Sequence, residues 1–262
     1  MRSAVPSEVA SLLTGTPLVV MLDIDGTLCE IVERPGDAVV SESARDSLRA
    51  LIARSGKALR VAFITGRAVA DAQRMLDLDG VAIYGNHGME RLLPFGDSRA
   101  HVASGRAAPE LRDFVGDLAD VVSDFPGVSI EDKHFSLTLH FRGIDMARLP
   151  EFNARVAQLV EGRALRLSPG KWVLNVLPEE GLTKGDAVLE IIQDVIGDSM
   201  SGSVLFVGDD ITDEDAFREL RPMPNAVTVH VGSVDVVSAA KLSLDNPHAV
   251  HELLALLAES RA

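Results

Sequence analysis

The apolar run Leu18-Val19-Val20-Met21-Leu22 stops on Asp23-Ile24-Asp25-Gly26-Thr27-Leu28, and this junction restricts what the chain can fold into. The run has the length and residue type of a buried strand. Two carboxylates therefore emerge where a core strand ends and a glycine opens a turn. Burying one carboxylate is costly, and two close together repel. A fold accepts the pair when a cation sits between them or when one of them does chemistry.

The surrounding pattern says which kind of sheet holds that strand. After Leu18–Asp23 comes a loop through Pro35-Gly36-Asp37, then a helix over about Ser41–Arg54 with Leu48, Leu51 and Ile52 on one face. Arg60–Ile64 reads as a second strand, ending in Thr65-Gly66-Arg67. A helix over about Ala68–Leu76 leads to a third strand, Val81–Tyr84, ending in Gly85-Asn86-His87-Gly88. This β-α-β-α-β order predicts a parallel sheet covered by helices. Functional groups in such sheets gather at the C-terminal strand ends.

The middle of the chain changes character. Helices are expected over Pro109–Val122 and Met146–Val160, and strands over Ser129–Asp132, Phe135–Arg142, Leu165–Leu167 and Trp172–Leu177, the last two joined through Ser168-Pro169-Gly170. The order α-β-β-α-β-β predicts a small antiparallel sheet with two helices on one face. The first pattern then returns: a helix from Leu182 to Val195 with Thr183 as its N-cap, a strand Val204–Val207 running into Gly208-Asp209-Asp210, a helix Asp213–Leu220, a strand Ala226–Val231 and a helix His248–Leu257. The expected fold is therefore α/β, a doubly wound parallel sheet formed by residues 1–103 and 179–262, with a smaller α+β lobe inserted at 104–178.

Composition narrows the functions open to this fold. With 262 residues, 47% of them hydrophobic, the chain can bury the core of one large domain or two modest ones. A net charge of -14 with no basic stripe disfavours nucleic acid, although a local cation can still receive a small anion. The single cysteine, Cys29, allows neither a disulfide framework nor a zinc cluster, and reads as a half-buried thiol in a reducing compartment. Met1–Leu13 lacks the pattern of a signal peptide, and no apolar run reaches the roughly 18 residues that span a bilayer. The expectation is a soluble cytoplasmic protein without a membrane partner.

Four signals fall at strand ends or helix starts of the sheet domain: Asp23-x-Asp25-Gly-Thr, Ile64-Thr65-Gly66-Arg67, Lys184-Gly185, and Gly208-Asp209-Asp210-Ile211-Thr212-Asp213-Glu214-Asp215. A Thr-Gly-Arg triplet alone is usually a turn, and a lysine near a helix start is usually solvated. Asp213-Glu214-Asp215 also suits a helix N-terminus through the macrodipole. Together and in this order, the four signals resemble the haloacid dehalogenase superfamily of aspartyl-phosphate hydrolases. The chain further resembles the trehalose-6-phosphate phosphatase family through the first and fourth signals, extended to Leu28 and Phe217. Gly85-Asn86-His87-Gly88-Met89-Glu90, Glu131-Asp132-Lys133-His134-Phe135, Leu139-His140-Phe141-Arg142 and Gly170-Lys171 add to that closer resemblance.

The resemblance implies a role for each residue. Asp23 would be the nucleophile that carries the phosphoryl group, and Asp25 the general acid and then base. Thr65 and Lys184 would complete the catalytic set by binding phosphoryl oxygens and offsetting charge. Asp23, Asp209 and the backbone carbonyl of Asp25 would hold Mg2+, a cation that takes hard oxygen ligands. Asp210 and Asp213 would orient waters or Lys184 from behind. Gly66 would present a backbone N–H to the phosphoryl group, and Arg67 would either pair with phosphate or pin its loop. Asn86 and His87 would approach the sugar from the sheet side, with His87 alternatively a strand cap. Glu131, Lys133 and Lys171 would bind sugar hydroxyls from the lobe, which would act as a cap that selects the substrate. His134 and His140 read as structural.

Two positions depart from the family pattern. Asn175 stands where relatives usually carry a glutamate, four residues after Lys171, and is a shorter, uncharged hydroxyl partner. Glu30 stands where the family often has proline. The expected function is magnesium-dependent hydrolysis of trehalose 6-phosphate, with no obligate protein partner. Because of Asn175, a glucosylglycerol phosphate or sucrose phosphate is the alternative sugar phosphate. A silent sugar-phosphate-binding module and a mutase are the rival classes. The module has no use for both aspartates of the first motif, and the mutase must exclude water.

Overall fold

The computed structural model describes residues 1–32, 35–56, 58–94, 98–100, 107–197 and 202–260. The chain divides into two compact units, Met1–Ala100 with Thr183–Ala262, and His101–Leu182. The expected start of the inserted lobe, residue 104, lies outside the described residues.

The first unit opens with β1 (Arg2–Ser3), α1 (Pro6–Leu12), β2 (Leu18–Leu22), α2 (Glu42–Ala53), β3 (Leu59–Ile64), α3 (Val69–Leu76), β4 (Ala82–Gly85), β5 (Glu90–Leu92) and β6 (Ser98–Ala100). The second unit holds α4 (Ala107–Ser123), β7 (Ser129–Asp132), β8 (Leu137–His140), α5 (Leu149–Val160), β9 (Leu165–Gly170) and β10 (Val173–Pro178). The chain returns to the first unit with α6 (Lys184–Val195), β11 (Ser203–Gly208), α7 (Asp213–Leu220), β12 (Ala226–Val231), β13 (Leu242–Leu244) and α8 (Pro247–Ser260).

The sheet of the first unit runs β1-β13-β12-β11-β2-β3-β4-β5-β6. It is parallel from β1 to β4, and β5 and β6 add an antiparallel edge. β2 is the reversal point: the chain leaves it towards β3 and β4 on one side and comes back to β11 and β12 on the other. Ligands of open α/β sheets bind beyond the strand ends at such a point. The register Val207↔Leu22, Leu22↔Phe63 and Ile64↔Tyr84 aligns the C-terminal ends of β11, β2, β3 and β4.

Side-chain alternation along β2 builds the two layers. Leu18, Val20 and Leu22 enter one core with Val9, Leu48, Leu51, Leu76 and Leu253, from α1, α2, α3 and α8. Val19 and Met21 enter the other with Val188, Ile191, Phe217 and Leu220, from α6 and α7. Helices thus cover both faces, as the β-α alternation predicts.

The second unit is a four-stranded antiparallel sheet, β7-β8-β10-β9. Leu137, Leu139, Leu174 and Val176 pack with Phe114, Leu118, Phe152 and Val156 of α4 and α5 in one core. Phe125 and Phe152 meet edge to face at 5.3 Å there.

Two expectations need correction. Ser168-Pro169-Gly170 is not the turn between the last two strands of this unit. β9 continues through it, and the connection is Lys171-Trp172, with Trp172 in the left-handed region at φ 63°. β9 is the edge strand, where a residue lacking an N–H is tolerated, so Pro169 pairs opposite Leu174. The helix expected from Met146 is also divided. Met146–Arg148 forms a 3-10 turn, and α5 starts at Leu149 with Pro150 in its first turn, where proline costs no backbone hydrogen bond. No described helix is long and apolar enough to cross a membrane.

Candidate active site

Asp23 continues β2 by one residue, its N–H donating to Val207 O at 2.9 Å. The strand's alternation sends its side chain after Val19 and Met21, towards α6 and α7. Those helices begin with Lys184 and Asp213 respectively. The start of α6 is fixed by a capping box, in which Thr183 Oγ1 accepts from Asp186 N and Asp186 Oδ2 accepts from Thr183 N. Lys184 Nζ lies 2.9 Å from Asp23 Oδ1 and 2.8 Å from Asp213 Oδ1. Asp213 Oδ2 accepts from the backbone of Asp209 and Asp210, at 3.0 Å each. Asp209 leaves the adjacent strand β11, and carboxylate oxygens of Asp23, Asp209 and Asp213 lie within 4.8 Å of one another.

Two glycines make this crowding possible. A Cβ on Gly26, whose φ is 80°, would fall 1.9 Å from Asp209 Oδ2, and one on Gly208 would fall 2.2 Å from Asp213 Cγ. The glycine of the first motif therefore serves the carboxylate of the fourth.

The cluster is nearly closed to solvent: Asp23, Lys184, Asp209 and Asp213 are all at most 4% exposed. Burial, reinforced by the Asp213 and Asp209 carboxylates, raises the Asp23 pKa well above its usual value, against the pull of Lys184. For Lys184, burial favours the neutral amine, but Asp213 and Asp23 outweigh it and raise its pKa. The lysine is therefore a fixed positive charge between the Asp23 and Asp213 carboxyl groups.

Asp25 points elsewhere. Its carboxylate is gripped in a fork by Arg67, with Nε to Oδ2 and Nη2 to Oδ1 both at 2.6 Å. That fork ties the Thr65-Gly66-Arg67 loop to the loop that follows β2. Thr65 is buried beside it, and its Oγ1 accepts from Arg67 N at 3.2 Å. Gly66 lies under the His87 ring, where a Cβ would come within 2.7 Å of Cε1. Asn86 and His87 are buried at the end of β4, and Asn86 Nδ2 donates to Glu90 Oε2 at 3.0 Å. Asp210 Oδ1 accepts from Ile211 N within its own loop.

In the second unit, Glu131, Thr138, Asn175 and Ser168 are cross-strand neighbours on one line across the sheet. Thr138 Oγ1 donates to Asn175 Oδ1 at 2.8 Å, and both residues are buried. Glu131 Oε2 lies 2.8 Å from His140 Nε2 and 3.8 Å from Lys133 Nζ. Lys171 lies apart from that line, exposed in the hairpin turn. The sheet thus gathers Glu131, Lys133 and Asn175, with His140 bracing the first.

Sequence reasoning missed two contributors. Glu90 ties the Asn86 side chain, and Glu214 Oε2 accepts from Ala239 N, anchoring the segment after β12. Both lie within motifs already quoted, but the backbone groups that give them a role, Val69 N and Ala239 N, are distant in the chain.

The oxygen donors suit a hard divalent cation. Asp213 has one oxygen on Lys184 and the other on two backbone amides. Asp23 and Asp209 are the members of the trio that could hold an ion in front of it. The Asp25 carboxylate is engaged by Arg67.

A trehalose-phosphatase family model matches residues 21–248. An uncharacterized glycosyl hydrolase of Mycobacterium tuberculosis is 35% identical over 257 residues, which is 96% of this chain and 19% of that protein. A trehalose-phosphate phosphatase of the same organism is 33% identical over 241 residues, 91% of this chain and 61% of the relative. The chain therefore spans about a fifth and about three fifths of these two relatives. Among solved structures, the C-terminal domain of Candida albicans trehalose-6-phosphate phosphatase superposes with a TM-score of 0.88 over 99% of both chains, at 21% identity. That likeness is one of fold.

Proposed function

Because this chain belongs to the trehalose-phosphatase family, we propose that it hydrolyses a sugar phosphate, trehalose 6-phosphate, to the free sugar and inorganic phosphate. The observation that carries this reading is the buried trio of Asp23, Lys184 and Asp213 at the reversal point of the sheet, with Asp209 beside it. A carboxylate at that point can attack phosphorus in line, while the lysine offsets the charge that gathers there.

In the first step an Asp23 oxygen attacks phosphorus, the bond from phosphorus to the sugar oxygen breaks, and Asp25 gives that oxygen a proton. In the second, water attacks the aspartyl-phosphate, Asp25 takes a proton from it, and the Asp23 carboxylate is released with phosphate. Arg67 holds both Asp25 oxygens, so one of them must be freed before Asp25 can serve as the acid. Thr65 and the backbone N–H of Gly66 are the donors assigned to the phosphoryl oxygens, and His87 forms a wall beside them. Mg2+, held by Asp23, Asp209 and the Asp25 carbonyl, would supply the charge that lets an anionic nucleophile meet an anionic phosphate.

Sugar selection is assigned to Glu131, Lys133, Lys171 and Asn175 of the second unit, which would act as the specificity-determining cap. Asn175 offers an amide rather than a carboxylate, and Thr138 already holds its oxygen. The test is kcat/KM across trehalose 6-phosphate, sucrose phosphate, a glucosylglycerol phosphate and simple hexose phosphates, with free phosphate as product. Trehalose 6-phosphate is expected to rank first. A lower rank than the hexose phosphates would overturn the substrate, and tight binding without phosphate release would overturn the reaction.

A further inference from the structure

At the end of β4 two successive residues that carry side chains adopt the left-handed backbone, Asn86 at φ 48° and His87 at φ 61°. Asparagine tolerates that region, but histidine is strained there, so its surroundings must hold it. Part of the restraint is backbone: Asn86 N donates to Arg67 O at 2.8 Å and His87 N to Thr65 O at 2.9 Å. The two loops touch so closely that a Cβ on Gly85 would lie 2.8 Å from Arg67 O and from Val69 N.

Further restraint comes from one oxygen of β5. Glu90 Oε2 accepts from Asn86 Nδ2 at 3.0 Å and from Val69 N at 2.9 Å. Val69 is the first residue of α3, and its N-cap, Ala68, has no side chain that can cap the helix. Glu90 thus caps α3 from a neighbouring strand while gripping the turn. Its register opposite Gly85 on β4 holds it between the two. A negative charge at that helix end is also favourable. What this oxygen fastens leads straight to the chemistry. The turn lays His87 on Gly66, and the loop ahead of α3 carries Thr65 and the Arg67 that forks Asp25.

We propose that Glu90 is a positioning residue: a single carboxylate oxygen clamps the strained Asn86–His87 turn to the start of α3 and so holds Thr65-Gly66-Arg67 in working register. The proposal rests on the phosphatase reading of this site. Small displacements of positioned groups cost up to about 100-fold in rate. Glu90→Ala is therefore expected to lower kcat by about 10- to 100-fold and to change KM by less than about threefold. Glu90→Gln keeps an acceptor oxygen of the same reach and is expected to stay within about threefold of wild type. Unchanged kcat in folded Glu90→Ala, or a Gln variant as impaired as the Ala variant, would each overturn the proposal.

Amide hydrogen exchange separates this proposal from the phosphatase reading. Residues 65–69 and 85–89 are expected to exchange at least about tenfold faster in Glu90→Ala and at the wild-type rate in Glu90→Gln, whichever substrate is turned over. Unchanged exchange in Glu90→Ala overturns the clamp, whereas a wild-type protein that releases phosphate from no sugar phosphate overturns only the function.

Discussion

Lys184 is shared by two carboxylates in a space nearly closed to solvent, and this sharing governs what substitutions do there. Removing the lysine leaves Asp23 and Asp213 buried without their cation. Breaking a buried pair from one side costs about 3–5 kcal/mol, so Lys184→Met should lower Tm by roughly 6–20 °C. Asp23→Asn acts in the opposite sense. Burial and the neighbouring acids already disfavour the Asp23 charge, so the neutral amide should leave Tm in metal-free buffer at or above wild type. Turnover should nevertheless fall by at least about 1,000-fold, as when other catalytic nucleophiles are removed. Calorimetry and phosphate release on the same samples check both halves. A folded Asp23→Asn enzyme with ordinary turnover would remove Asp23 as the nucleophile.

Cys29 shows a different effect of the same surroundings. Burial, followed by the Asp25 carboxylate, pushes its thiol up to about 12 from 9.0. The native thiol keeps its proton at a pH where the unfolded chain has lost it. Its contribution to stability is therefore complete below about pH 9 and declines as pH climbs towards about 12. Alkylation of Cys29 at pH 8.5 should be slow in the folded protein and rapid after unfolding.

At the scale of elements, the site depends on how closely chain segments can pass. Gly26→Ala would put a methyl group into the Asp209 carboxylate and force an L side chain to a φ of 80°. The left-handed backbone alone costs about 1–2 kcal/mol, and displacing Asp209 should weaken divalent-ion binding as well. A titration calorimeter should record a lower ion affinity in this variant than in wild type. Affinity equal to wild type would mean that Asp209 is not where the ion binds.

Elements with a strong local cause were legible in the sequence, and those defined by distant partners were not. β2 announced itself as five apolar residues before an acid, and α6 through Thr183, which does cap it. α7 starts and ends where its acidic first turn and apolar face predict. α1 was not legible, since Val9 is its one buried residue and no side chain caps it. β1, β5, β6 and β13 span two or three residues each and exist through the neighbours they pair with. The same division applies to the site. Asp23, Lys184, Asp209 and Asp213 come together from motifs that could be read in order. The Arg67 fork on Asp25, the His140 brace on Glu131 and the Glu90 clamp depend on loop and strand geometry that no motif states.

For the molecule as a whole, three buried carboxylates against one ammonium form an acidic focus that a divalent ion should relieve. Adding Mg2+ at about 100 times its Kd should stabilise the fold by about 2.7 kcal/mol, a rise in Tm of about 5–11 °C. Asp209→Asn should lose most of that rise. A chelator should stop turnover and excess Mg2+ restore it. Turnover that survives exhaustive chelation would rule out the divalent ion as a participant.

One consequence of the sheet concerns how this protein can evolve. Neighbouring side chains along β2 alternate between the two helical layers, and Asp23 inherits its direction from Met21 and Val19. Deleting one residue between Leu18 and Leu22 would turn that acid towards α2 and α8, away from Lys184. A loop has no such parity, but this strand tolerates changes of length only in steps of two.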